Sequence, residues 1–358
     1  MKRLITSIKA SRMTEMKKNI DQAKVVSFDI FDTLIKRDCY KPVEIFSIIE
    51  DRLNKKYNTK TNFKEKRINA ERKAIILNSD KEIDITDIYK CFPKMVGISK
   101  DEMIMEEEQT ELNLCQPNQF AIPIYKYCME KNKRIIIVSD MYLKEKIIKK
   151  ILYKANIRTY EKIYLSSECG ASKENGNIFK IIIKDMKVSP QDIIHIGDNL
   201  RRDYISPKRH GLRSALIGNH HNNIIIDKTY KTTSYRNLLE FINNHYPRNK
   251  DLFYRLGFEV QGPLLLGYVK WLNDDLKKEK IKKIFFLSRD GQIVQRAFNF
   301  INPNMESKYL YVSRKSLIIP TIWMSPEIKD VQKIFKWPTY IDIYQFLKLR
   351  RCVSACEP

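Results

Sequence analysis

Four short segments of the chain place polar side chains directly after apolar stretches rich in β-branched residues. Asp29 follows Val-Val-Ser-Phe, and Ser139 and Asp140 follow a run of isoleucine and valine. Lys173 lies in a polar loop after the apolar residues 163–165, and Asp198 follows Ile-Ile-His-Ile-Gly. Buried parallel strands are near-continuous apolar runs, and ligands bind at their carboxyl ends. The pattern predicts that these groups meet at one edge of a parallel sheet.

A carboxylate held at such an edge can act as a nucleophile, a metal ligand or both. Taken singly, each residue has an ordinary role, because aspartate forms turns, serine caps helices and lysine is usually solvated. Three later segments supply the groups that such a carboxylate would need, and taken together the four segments favour phosphoryl-type chemistry over these ordinary roles.

Strand and helix patterns divide the chain into several parts. Residues 24–38 and 120–220 alternate strands with helices, which predicts one α/β core with a parallel, doubly wound sheet. Residues 39–119 between them show helical periodicity and predict a helical insertion. Residues 1–23 predict a polar helix or arm, and residues 221–249 predict a polar, asparagine-rich linker.

Residues 250–358 begin a second α/β unit. A helix is predicted over residues 263–276 and a strand over residues 283–287, followed by Ser-Arg-Asp-Gly. The chain ends on Arg-Arg-Cys-Val-Ser-Ala-Cys-Glu-Pro without a closing element, so an incomplete unit is one interpretation of this region.

Taken in order, the four segments resemble motifs I to IV of the haloacid dehalogenase-like (HAD) hydrolase superfamily. The resemblance covers roughly residues 24–218, and the helical insertion stands where that superfamily places its C1 cap. It implies a HAD-like, Rossmann-like parallel sheet. It also implies hydrolysis of a small phosphorylated metabolite with Mg²⁺ as cofactor.

The resemblance assigns roles to the residues that match the motifs. Asp29 would attack phosphorus and form an aspartyl-phosphate. Ser139 and Asp140 would bind the phosphoryl group. Lys173 would bind it as well and offset its charge.

The metal site that the resemblance implies is built from oxygen atoms, which Mg²⁺ prefers. Its ligands would be Asp29, Asp198 and the backbone carbonyl of Phe31, with Asp203 in support.

Phe31 departs from the phosphatase pattern, in which the second residue after the nucleophile is an aspartate that transfers protons. Phenylalanine cannot transfer a proton, and general acid–base help is typically worth ~10²–10⁴ in rate. Asp32 lies one position further on, where its side chain points elsewhere. Two alternatives therefore stay open. One is a dehalogenase-type or other non-phosphatase hydrolase, and the other is a non-catalytic binding module of glycan biosynthesis.

Residues 250–320 resemble extended bacterial HAD-like proteins that are associated with surface-polysaccharide synthesis. That resemblance makes a sugar phosphate one candidate substrate. The pair Arg67 and Glu71, one helical turn apart, is expected to lie on a helix surface. Arg289 and Asp290 are expected to form a turn and a cap.

The bulk composition narrows the function further. The formal net charge is +23, but the lysines are spread along the chain without a basic motif interleaved with aromatic residues. Nucleic acid is therefore not expected as a partner, and weak contact with an anionic membrane surface is the stronger alternative. Seven scattered cysteines without a C-x-x-C pair, and the absence of a secretory signal or long apolar run, predict a cytoplasmic protein with reduced thiols.

Overall fold

The structure is a computed structural model that describes residues 13–58, 60–79, 81–95, 97–217 and 232–313. The chain divides into two compact units, residues 1–249 and residues 250–358. Residues 1–12 of the predicted arm and residues 221–231 of the predicted linker lie outside the described residues. So do Cys352 and Cys356.

The centre of the first unit is a five-stranded sheet in which all neighbouring strands run parallel. The strand order is β5-β4-β1-β6-β7. The strands are β1 (Val25–Phe28), β4 (Arg134–Ser139), β5 (Lys162–Leu165), β6 (Ile193–Gly197) and β7 (Arg213–Leu216). The parallel sheet predicted from the apolar runs is confirmed, because each run forms a strand that is buried along most of its length.

Helices cover both faces of this sheet, as the alternating side chains of β1 show. Val26 and Phe28 belong to the apolar cluster on one face, and Val25 belongs to the cluster on the other. A helix also covers residues 13–22, which here is α1. The later helices are α6 (Ile122–Glu130), α7 (Glu145–Lys154), α8 (Ser166–Cys169), α9 (Asn177–Met186) and α10 (Ser206–Arg209). A 3₁₀ turn (Pro190–Asp192) precedes β6, and a π-helical turn (Leu200–Ile205) follows it.

The insertion between β1 and β4 is helical, as its periodicity predicted. Its helices are α2 (Glu44–Tyr57), α3 (Phe63–Leu77), α4 (Ile85–Cys91) and α5 (Lys100–Leu114). Asp84 caps α4, because its side chain accepts the backbone N–H of Asp87. Two three-residue strands that the sequence did not predict, β2 (Ile35–Arg37) and β3 (Cys115–Pro117), pair antiparallel where the insertion leaves the sheet.

Part of the predicted linker is a helix of the first unit, α11 (Thr233–Asn244). Its Asn237 accepts the backbone N–H of Tyr40, and its Asn244 donates to the backbone carbonyl of Arg37. The polar composition predicted a linker, because polar side chains are usually solvated. In α11, Asn237 and Asn244 instead form hydrogen bonds within the first unit.

The second unit contains a parallel pair of strands, β8 (Lys283–Leu287) and β9 (Glu306–Leu310). Its helices are α12 (Leu252–Leu256), α13 (Gly262–Lys278) and α14 (Gly291–Ile301), with a π-helical segment (Gly257–Gln261) before α13. A small apolar core forms around Val269, Phe286 and Phe298. Across the described residues of both units, no helix is both long enough and apolar enough to cross a membrane.

Candidate functional site

A cavity of about 360 Å³ opens at the carboxyl ends of the central strands in the first unit. Every residue that the motifs singled out lines it: Asp29, Phe31, Asp32, Ser139, Asp140, Lys173, Asp198 and Asp203. β1 lies between β4 and β6, and the backbone N–H of Asp29 donates to Ile196 on β6. This register brings residues from distant parts of the sequence to one place.

Lys173 joins two carboxylates at the floor of the cavity. Its Nζ lies 2.6 Å from Oδ1 of Asp29 and 2.7 Å from Oδ1 of Asp203. The lysine side chain is only 4% exposed. Asp140 and Ser206 hold the backbone of Lys173, because Asp140 accepts its N–H at 2.8 Å and Ser206 donates to its carbonyl at 2.6 Å. Asp140 thus positions the lysine loop, and its role in phosphate binding stays a prediction.

His195 is a residue of the site that the sequence analysis missed. It is fully buried on β6, and its Nε2 lies 3.1 Å from Oδ1 of Asp203 while its Nδ1 lies 2.7 Å from the Ser27 hydroxyl. A polar residue inside the apolar run Ile-Ile-His-Ile was the available signal. Both oxygens of Asp203 have protein partners, since Oδ2 accepts the backbone N–H of Asn199.

Asp29, Asp198 and Asp203 form the metal-binding candidate, with one oxygen of each lying within 4.8 Å of the others. Three carboxylates form the hard oxygen set that Mg²⁺ prefers. Because Asp203 is occupied by Lys173, His195 and Asn199, Asp29 and Asp198 are the direct ligands that this geometry favours. The Phe31 carbonyl as a ligand stays a prediction.

Burial and charge shift the pKa values of these groups in different directions. Burial raises the pKa of Asp29 to about 6, although Lys173 opposes the rise. Burial alone would lower the pKa of Lys173, but Asp29 and Asp203 outweigh it and hold that pKa above its ordinary value. Burial would raise the pKa of Asp203, but Lys173 and His195 hold it well below the usual range. Burial raises the pKa of Asp198. The lysine is therefore an ammonium at neutral pH, beside an ionised Asp203.

Phe31 occupies the position of the proton-transferring aspartate, and its ring is in contact with Arg37. The guanidinium of Arg37 lies 3.8 Å from the centre of that ring. Arg37 in turn forms a two-fold ion pair with Glu111 of α5, with N–O distances of 2.9 and 3.2 Å. Asp32 has a left-handed backbone, is half-exposed and pairs with Lys36 at 3.3 Å. It lines the cavity at its solvent-exposed edge.

Arg67 and Glu71 form an ion pair, but not the surface pair that their spacing suggested. Arg67 is fully buried, and only Glu71 reaches solvent and the cavity. The spacing could not reveal this, because the remaining partner of Arg67 is Glu107, forty residues away on another helix.

No family model matches the chain, and no curated protein matches it. Among solved structures, it is similar to a HAD family enzyme from Bacteroides thetaiotaomicron, with 19% identity, 56% of this chain and 96% of that chain covered, and a TM-score of 0.41. A HAD phosphatase from Thermococcus onnurineus shows 19% identity, coverage of 59% and 91%, and a TM-score of 0.40. A haloacid dehalogenase from Pseudomonas syringae shows 14% identity, coverage of 54% and 85%, and a TM-score of 0.39.

Because these TM-scores are low, the fold assignment depends on the molecule itself. Its grounds are the strand order, the helical insertion after the first strand and the four polar segments at the strand ends. On these grounds the first unit has the HAD-like, Rossmann-like fold that its motifs predicted.

Proposed function

We propose that the first unit is a Mg²⁺-dependent phosphatase that hydrolyses a small phosphorylated metabolite through an aspartyl-phosphate on Asp29. The observation that carries the proposal is the position of Lys173, whose ammonium contacts both Asp29 and Asp203 within one cavity. An ammonium at this place neutralises charge around a carboxylate nucleophile and a phosphate, which is the main requirement of phosphoryl transfer.

In the first step, a carboxylate oxygen of Asp29 attacks phosphorus. The new O–P bond forms as the ester P–O bond breaks, and the leaving oxygen departs with the electron pair of that bond as an alkoxide, which takes a proton from water to become the alcohol. Lys173 and the hydroxyl of Ser139 line the cavity beside the transferring group and would stabilise its oxygens. A bound Mg²⁺ would add charge stabilisation at Asp29 and Asp198.

In the second step, water attacks phosphorus and the O–P bond to Asp29 breaks, which releases inorganic phosphate and restores the carboxylate. Phe31 can neither protonate the leaving alcohol nor activate this water. Both steps should therefore be slow for substrates with poor leaving groups, and the aspartyl-phosphate should persist longer than in an enzyme with an aspartate at this position. The insertion, which supplies the cavity wall opposite the sheet, would act as the cap that limits access of water.

The same absence of a proton-transfer group favours a second candidate function, a binding module that holds phosphate and Mg²⁺ without turnover. A dehalogenase-type reaction has less support, because the cavity gathers three carboxylates suited to a metal ion. Roles in polysaccharide synthesis and in the cytoplasm are proposals that derive from the sequence resemblance and composition.

Phosphate release from a panel of phosphate esters, with and without Mg²⁺, tests the proposal. The wild type should release phosphate only with Mg²⁺, and Asp29→Asn should be inactive. Asp51→Asn, an exposed aspartate of α2, is the matched control and should keep full activity. Turnover that survives in Asp29→Asn would contradict the nucleophile assignment. Binding of phosphate and Mg²⁺ without any turnover would favour the binding module.

The substitution Phe31→Asp tests the explanation for slow turnover. A carboxylate restored at this position should raise the rate, by at most the ~10²–10⁴ that general acid–base catalysis provides. The gain should fall short of that range, because Arg37 lies against this position and would pair with the new carboxylate. Phe31→Leu keeps an apolar side chain and should leave the rate close to that of the wild type.

A further inference from the structure

The cavity is acidic although the chain as a whole is strongly basic. Seven carboxylate residues and three basic residues line it, while the chain carries a net charge of +23. Lys173 serves Asp29 and Asp203, and Arg37 is paired with Glu111. Arg202 is 44% exposed at its side chain and lies 3.8 Å from Glu174. Negative charge is therefore in excess among the residues that line the cavity.

Glu71 is one of the carboxylates that line the cavity, and it is anchored by a single ion pair. It projects from α3 of the insertion, and its side chain is 34% exposed. Its Oε2 accepts a 2.8 Å hydrogen bond from Nη1 of Arg67. Among the described residues, its other oxygen, Oε1, has no hydrogen-bond donor. One oxygen is thus anchored and the second is available to a ligand in the cavity.

Arg67, which donates to the Glu71 carboxylate, is itself fixed by its other contacts. Its Nε and Nη2 both donate at 2.8 Å to Glu107, which is itself fully buried. Its guanidinium lies 4.6 Å from the ring centre of Phe46 and 4.9 Å from that of Tyr142, and both rings line the cavity. These contacts fix the Arg67 guanidinium. Of the two residues of this ion pair, Glu71 is the one that lines the cavity.

We propose that Glu71 is a specificity-determining residue that accepts a hydrogen bond from a hydroxyl or ammonium group on the organic part of the substrate. This rests on the proposed function, in which the phosphate lies beside Asp29 and Lys173. The substrate class is then a monophosphate ester of a polyol or an amino alcohol. A second anionic group would meet Glu71 and be rejected by charge repulsion, whereas the rings of Phe46 and Tyr142 accept the apolar faces of a carbon chain.

Four esters of similar size separate these contributions: glycerol phosphate, ethanolamine phosphate, propyl phosphate and phosphoglycerate. Glycerol phosphate and ethanolamine phosphate carry a donor and no second negative charge, propyl phosphate carries neither, and phosphoglycerate carries a carboxylate. Their affinities are measured by calorimetry with Mg²⁺ on Asp29→Asn protein, which cannot turn over, alone and combined with Glu71→Gln. Glu65→Gln, an exposed glutamate of the same helix, is the matched control.

Without the Glu71 substitution, one or both donor-bearing esters should bind at least about tenfold more tightly than propyl phosphate and than phosphoglycerate. Glu71→Gln should lower the discrimination against phosphoglycerate about tenfold, because the amide carries no charge, and Glu65→Gln should leave it unchanged. Which donor-bearing ester binds more tightly decides between a polyol and an amino alcohol. If Glu71→Gln does not fold, Glu71→Asp, whose carboxylate is withdrawn by one methylene, should show the same loss.

Discrimination that is unchanged in Glu71→Gln would overturn the inference, as would preferred binding of phosphoglycerate before any substitution. Failure of the donor-bearing esters to bind more tightly than propyl phosphate would overturn it as well. The proposed function fails separately. If wild-type protein shows the predicted discrimination in binding but releases no phosphate from any ester, then Glu71 keeps its role and the hydrolase assignment is wrong.

Discussion

At the scale of single residues, the proposed chemistry depends on the protonation state of Asp29, which must be a carboxylate to attack phosphorus or bind a metal ion. Burial raises its pKa to about 6, whereas the pKa of the neighbouring Asp203 is lowered. A proton and a metal ion therefore compete for Asp29 in mildly acidic solution, while Asp203 stays ionised.

This competition predicts how Mg²⁺ binding depends on pH. Above about pH 7, the affinity should be nearly constant. As the pH falls below 6, Asp29 takes up a proton, and the apparent dissociation constant should rise by up to about tenfold per pH unit. Calorimetric titration of metal-free protein with Mg²⁺ across this range measures it. Asp29→Asn should bind more weakly and show a smaller pH dependence, because Asp198 is then the titrating ligand that remains. A wild-type affinity that does not change between about pH 7 and 5 would contradict the prediction.

The site residues divide into those that the sequence could reveal and those that it could not. Asp29, Ser139 and Asp198 end apolar runs, and a run that ends in a polar residue is a local pattern. Arg37 and Glu71 belong to the site only because the insertion folds back over the sheet. The partner of Arg37 is Glu111, 74 positions away in sequence, so no local spacing marks the pair.

At the scale of secondary-structure elements, the insertion is held together by ion pairs as well as by its apolar core. Arg67 of α3 and Glu107 of α5 are both fully buried, and Tyr89 of α4 donates to the same glutamate at 2.7 Å. A buried pair of this kind contributes little relative to apolar residues, but the loss of one partner is costly because the other charge remains buried.

The substitution Arg67→Met should therefore destabilise the first unit by about 3–5 kcal/mol in its free energy of unfolding. The double substitution Arg67→Met with Glu107→Leu should recover much of that loss, because no buried charge is then left unpaired and Glu71, the other partner of Arg67, reaches solvent. Urea denaturation of the three proteins measures both effects. Arg72→Met, at an exposed position of the same helix, is the control and should change stability by less than about 0.5 kcal/mol. Equal stability of Arg67→Met and the wild type would contradict this view of α3 and α5.

Elements of ordinary length were predictable, and the shortest ones were not. The runs over β5 and β8 predicted those strands, because only apolar residues follow the lysine at which each strand begins. β2 and β3 have three residues each and owe their pairing to the path of the chain into and out of the insertion. α11 was missed because its buried face is narrow, with Leu239 and Ile242 as its apolar contacts.

At the scale of the whole molecule, the two units differ in what they contain. The first unit holds the five-stranded sheet, the larger apolar clusters and every residue of the candidate site. The described part of the second unit has a core of three buried residues. A unit with its own core and its own site is expected to fold and function separately.

A protein truncated to residues 1–249 should therefore fold and keep its turnover and Mg²⁺ affinity within about twofold of those of the full chain. Circular dichroism, thermal unfolding and the phosphate-release assay measure this. The same truncation with Asp29→Asn is the inactive control. Loss of folding or of Mg²⁺ binding in the truncated protein would show that the second unit contributes to the site.

The most direct test of the proposed chemistry is a mass measurement of the acid-quenched protein during turnover. Because Phe31 provides no base for the second step, wild-type protein mixed with a phosphate ester and Mg²⁺ should gain the mass of one phosphoryl group, located on Asp29. Asp29→Asn, and wild type without Mg²⁺, should show no gain. Phosphate release that proceeds without any phosphoryl adduct, or an adduct on a residue other than Asp29, would contradict the aspartyl-phosphate mechanism.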